Sequence, residues 1–154
     1  MNENLQILQA KIEHLRRMRH DLEYSVGKMA VPLAKIRSGC VDVLTDDERE
    51  SVAAFNARFS AYQEQLGKAF KSIAIEEEMA SVSFSSILAL MEKLGIIDNI
   101  QQGGIVRGIR NAVNHVYEDD ANELFQALVN MIKSTAFLYD IHNKMCTFVR
   151  ETYT

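Results

Sequence analysis

The sequence predicts an all-α, antiparallel bundle of about four to five helices, folded as one domain over residues 1-154. Three observations carry that prediction. The chain holds one proline and seven glycines in 154 residues, too few punctuators for the many turns of an all-β or α/β fold. Apolar residues recur in alternating steps of three and four, the spacing that lays one stripe along a helix. Hydrophobic residues make up 47% and charged residues 25%, the balance of a globular domain able to bury its own core.

The first stripe is Leu5, Leu8, Ile12, Leu15, Leu22, Val26, Met29, Leu33 and Ile36. It is close to a heptad seam and predicts lengthwise packing. Arg19 stands where another apolar residue belongs. Pro32 is expected to kink or end this helix, and Ser38-Gly39 to break the chain. Thr45-Asp46-Asp47-Glu48 then carries the capping-box pattern, ahead of a second stripe of Val52, Phe55, Phe59, Tyr62, Leu66, Phe70 and Ile73. Glu76-Glu77-Glu78 marks its end. A third helix runs from about Ser83 to Leu94 and stops at Gly95, a good residue just past a helix end. Asp98 is placed to cap a fourth, running through Gly103-Gly104 to about Tyr117. Asp119-Asp120 opens a fifth, with Leu124, Leu128, Met131, Thr135, Leu138, His142, Met145 and Val149 on one stripe.

Several function classes drop out early. Nothing at Met1-Asn2-Glu3-Asn4 resembles a signal peptide, and no apolar run approaches the roughly 20 residues that span a bilayer. Cys40 and Cys146 have no metal-ligand spacing and are too few for a disulfide scaffold. A reduced cytoplasmic protein is expected, with no metal and no membrane. The net charge of −4 gives no bulk attraction to nucleic acid, so DNA is not an expected partner and any RNA contact must use a local basic cluster.

The chemistry concentrates between Ile105 and Glu118. On a helical wheel at about 100° per residue, Ile105, Val106, Ile109, Ala112, Val113 and Val116 fall on one core face. Arg107, Arg110, Asn111, Asn114, His115, Tyr117 and Glu118 lie opposite. That face gathers fixed cations, a titratable imidazole, two amides and a phenol, the side chains that phosphate chemistry uses. Its two asparagines cost helix propensity, and Gly103-Gly104 before it suggests close approach by another chain or ligand. Elsewhere the reading is plainer. Arg16-Arg17-Arg19-His20, Lys68 and Lys71 read as solvated faces with Arg19 paired to an acid. His142 reads as a satisfied core or interface residue, and His14 as exposed.

Arg110-Asn111-Ala112-Val113-Asn114-His115-Val116-Tyr117 resembles the R-x4-H-x-Y motif of the HEPN superfamily. Upstream, Arg58-Phe59-Ser60-Ala61-Tyr62-Gln63-Glu64-Gln65-Leu66-Gly67-Lys68 is similar to the "RF-x-x-x-Q-x-x-LG-K" stretch of a bacterial HEPN family of comparable length. Leu90-Met91-Glu92-Lys93-Leu94-Gly95-Ile96-Ile97 is similar to its "LEKLGII" element. The resemblance covers about residues 55 to 140 in the family's order. It departs at Asn114-His115-Val116, where relatives commonly have Ala-His-Glu.

The resemblance implies a metal-independent endoribonuclease toxin that needs no cofactor. The RNA 2′-hydroxyl attacks the adjacent phosphate, and the enzyme supplies proton transfer and charge stabilisation. His115 would serve as general acid or base, Arg110 would hold the phosphate charge through paired N–H donors, and Asn111 would orient His115 or donate to phosphate. Arg107 and Asn114 would add substrate contacts. One helix sets Arg110 and His115 about 140° apart, so the resemblance further implies a homodimer whose motif helices share a cleft. It also implies a small nucleotidyltransferase antitoxin that silences the toxin by AMP transfer to Tyr117, and RNA, transfer RNA included, as substrate. The alternatives are a non-catalytic substrate-binding subunit of such a nucleotidyltransferase, or a helper domain that binds nucleotides without cutting.

Overall fold

The structure, a computed structural model, describes residues 2–39, 42–79, 83–100, 103 and 121–153. Among them are five helices and no strand: α1 (Glu3–Gly27), α2 (Ala30–Arg37), α3 (Asp46–Glu76), α4 (Phe84–Lys93) and α5 (Ala121–Tyr153). The chain is an all-α helical bundle, as its apolar stripes predict.

Asn2 starts α1 by accepting the Leu5 N–H at 2.7 Å. Leu8, Leu15 and Leu22 follow at seven-residue intervals, each fully buried, and Met29 and Ile36 continue the series. The helix nevertheless breaks at Lys28–Met29, four residues before Pro32. The reason is proline's reach: it lacks the N–H that would bond to the carbonyl four residues back, and its ring crowds that carbonyl. Pro32 therefore sits in the first turn of α2, where free N–H groups are normal. The stripe survives the break, so α1 and α2 bury one continuous edge.

Thr45 and Glu48 form the expected capping box at the start of α3. Glu48 does a second job. Its Oε1 accepts from Lys35 Nζ at 2.5 Å, tying α2 to the head of α3. That hydrogen bond, with those from Thr45, holds the Glu48 carboxyl below its ordinary value. Every residue of the second stripe, from Val52 to Ile73, is buried. The two long helices run antiparallel: Asn4 at the start of α1 donates to the Ser72 carbonyl at 3.0 Å and to Glu76 at 2.9 Å. Near the other end, Arg58 donates to Ser25 Oγ at 2.8 Å.

The ends of α3 and α4 share a design. Glu78 takes a positive φ of 57°, and Met79 N–H reaches back to the Ala74 carbonyl at 3.0 Å. Gly95 takes φ 77°, and Ile96 N–H reaches the Met91 carbonyl at 2.9 Å. Both are Schellman turns, which satisfy the last carbonyls of a helix. The second drives Ile96 and Ile97 into the core. Asp98, expected as a helix cap, places a carboxylate oxygen 2.8 Å from Lys144 Nζ of α5. Helical conformation resumes two residues later, at Ile100.

Gly103 is helical and buried. A Cβ added there would lie 2.5 Å from Leu88 Cδ2 and 3.0 Å from Leu88 Cγ. At Gly103 the close approach that the glycine suggests is made by Leu88 of α4 in the same chain, while Gly104 lies outside the described residues. Gly103→Ala is expected to destabilise the fold by about 1–2 kcal/mol, overpacking outweighing alanine's better helix propensity. Urea denaturation checks this, and the additional substitution Leu88→Ala should recover part of the loss.

α5 closes the bundle. All eight stripe residues from Leu124 to Val149 are buried, with Ala127 and Ile141 beside them. Its C-terminal end lies next to that of α3, where Tyr153 Oη donates to Glu77. No helix among the described residues is long and apolar enough to cross a membrane.

Candidate functional site

The predicted site residues Arg107, Arg110, Asn111, Asn114, His115 and Tyr117 lie outside the described residues, as does the Asp119-Asp120 start of the last helix. Gly103 on one side and the start of α5 on the other bracket the segment that carries them. The two upstream stretches of resemblance are described, and both are scaffold. Arg58–Lys68 lies within α3: Arg58 braces α1, while Phe59, Gln63 and Leu66 are buried. Lys68 is exposed and pairs with Glu64 at 3.6 Å. Leu90–Ile97 supplies the end of α4 and its turn into the core.

A polar cluster does assemble where α1, α3 and α5 meet. Arg19 replaces an apolar residue in the α1 stripe because it covers Tyr139 of α5, its guanidinium carbon 4.5 Å from the ring centre. Its Nε donates to Glu23 at 3.0 Å and its Nη1 to Asn143 Oδ1 at 2.6 Å. The pairing with an acid was legible; the aromatic beneath it was not. Tyr139 in turn meets Tyr62 edge-on, ring centres 5.9 Å apart. Tyr62 Oη lies 2.8 Å from His142 Nδ1, both groups buried. Either partner donates, according to the imidazole tautomer.

Burial sets the chemistry here. It pushes the Tyr62 phenol well above its usual range and Tyr139 to about 12. It lowers His142 to about 4, with the nearby Arg19 charge acting in the same direction. His142 is therefore a neutral, hydrogen-bonded core histidine at neutral pH, as its place in the stripe predicts. Cys146, one turn further on, is half-buried, and burial raises its thiol. The sequence signal for this cluster was a pair of polar residues, Arg19 and His142, each in an apolar stripe of a different helix.

The remaining basic residues of α1 stay at the surface. Arg16 and Arg17 pair with Glu13 at 2.6 and 4.0 Å, and His14 and His20 are exposed. Among the described residues, no three His, Cys, Asp or Glu side chains gather to hold a metal ion.

No protein-family profile matches the chain, and no solved structure matches it. It is similar to a D-alanine aminotransferase of Listeria monocytogenes serotype 4b (strain F2365), 33% identical over 79 residues, 49% of this chain and 27% of that protein. The D-alanine aminotransferase of Listeria innocua serovar 6a is 32% identical over 79 residues, with the same coverage. The chain spans about a quarter of the length of these relatives, 27%.

Proposed function

We propose that this chain is a metal-independent endoribonuclease of the HEPN toxin type, acting as a two-fold dimer with a shared cleft. The observation that carries the reading is the spacing Arg110-Asn111-x3-His115-x-Tyr117, preceded in family order by the Arg58–Lys68 and Leu90–Ile97 stretches. The all-α bundle is compatible with it, since those stretches fall on α3 and at the end of α4. In this reading Arg110 stabilises the phosphate charge, His115 moves the proton, Asn111 orients His115, and Arg107 and Asn114 contact the RNA. Each chain supplies half a site.

The test uses purified protein, structured RNA including transfer RNA, and excess EDTA. Cleavage leaving 2′,3′-cyclic phosphate ends is expected. Intact RNA in the presence of dimeric protein would favour the non-catalytic partner subunit of a small nucleotidyltransferase instead. Sedimentation showing monomer alone at micromolar concentration would remove the composite site.

Tyr117 gives the reading its regulatory half. Incubation with a cognate nucleotidyltransferase, ATP and magnesium is expected to add one adenylyl group, read by intact mass, and to silence cleavage. Tyr117→Phe should remain unmodified and active in the same mixture.

A further inference from the structure

We propose that the Tyr62–His142 pair is a proton-operated latch, which releases α5 from α3 in mild acid while α1 and α3 stay packed. The geometry gives α5 a polar attachment at its midpoint: Tyr62 Oη from α3 lies 2.8 Å from His142 Nδ1. Arg19 from α1 grips the neighbouring turn through Asn143 at 2.6 Å and the Tyr139 ring. The α1–α3 contact has attachments of its own, Asn4 donating to Ser72 and Glu76 and Arg58 to Ser25, and Leu8, Leu15, Leu22, Phe55 and Phe59 of the two helices are fully buried.

The groups facing the imidazole decide what a proton does there. Arg19 presents a like charge from α1, and Tyr62 presents a phenol from α3. On its own helix stand Tyr139 and the Cys146 thiol, both neutral near pH 7 because burial raises them. Glu23, the carboxylate of the cluster, is already held by Arg19 at 3.0 Å. A proton taken from buffer thus turns neutral His142 into a buried imidazolium beside a guanidinium, with no further counter-charge in the cluster among the described residues. Opening α5 hydrates that charge and relieves it.

The sign follows from linkage. The closed state holds His142 at about 4, while an opened helix returns it to about 6.5. The opened state therefore binds more protons between these values, and closure weakens as pH falls through that interval. From pH 7 to pH 5 the opening constant should rise roughly twentyfold.

Amide exchange across pH 7 to 5 tests the latch, after correction for the intrinsic rate. Protection is expected to fall in α5 around residues 135–149 before it falls in α1 or α3. A histidine NMR titration of the same protein should place His142 below the ordinary value. His142→Asn, which cannot titrate, should flatten the pH dependence of α5. Arg19→Gln, a milder change at a partly exposed position, should raise the His142 value and narrow the window. Uniform loss of protection across α1, α3 and α5, or an unchanged pH profile in His142→Asn or Arg19→Gln, would overturn the proposal.

Discussion

Replacing His115 with alanine is expected to reduce RNA cleavage by about 10²- to 10⁴-fold, the range that a positioned general acid or base contributes. On the helical wheel His115 lies on the polar face, opposite Ile109, Ala112, Val113 and Val116, so its loss should leave thermal unfolding within about 0.5 kcal/mol of the parent. Arg110→Ala should be comparably inactive, because removing the cation exposes the transition-state charge. The proposed composite site makes a stronger demand. Mixed dimers of His115→Ala and Arg110→Ala chains would keep one arginine and one histidine in the shared cleft. They are expected to recover activity above either homodimer, in a single-turnover assay after subunit exchange. Full activity of His115→Ala would end the catalytic reading.

Phe59→Ala is expected to produce the largest loss of stability, about 3–5 kcal/mol. Phe59 is completely buried at the centre of α3, its ring 6.0 Å from that of Phe55. Truncation removes a large apolar side chain where α3 cannot collapse, since the helix is clamped at its head by the Thr45–Glu48 box and at its tail by Asn2 and Asn4. A domain typically has only about 5–15 kcal/mol of stability, so the urea midpoint should move far. Ile75→Ala, at a residue 48% exposed, provides the contrast and should shift stability by less than about 0.5 kcal/mol.

The bundle was legible in the sequence because its helices are long and each hides one stripe. Positional detail failed where the deciding partner sits far along the chain or acts indirectly. Pro32 marked a break, but its steric effect falls four residues upstream, so α1 ends at Gly27. Gly103 signalled a close approach, but its partner Leu88 is a residue of α4 that spacing alone does not nominate. Arg19 looked like an intrusion into an apolar stripe until Tyr139, 120 positions later, supplied its aromatic face. The candidate site is a different case. Its residue types and spacing are legible, but the proposed composite site is a relation between two chains, and no single helix contains that.

The tie between the ends of the long helices has a mechanical consequence. Asn2 and Asn4 hold Glu76, and Tyr153 holds Glu77, so residues 2 and 153 lie at the same pole of the bundle. Force applied between them would act across the helix axes and not along them. Contacts would then fail one turn at a time, beginning with these polar ties and running toward Arg19 and Tyr139. A bundle pulled this way should open at low force in small steps, with its hydrophobic seams never loaded all at once.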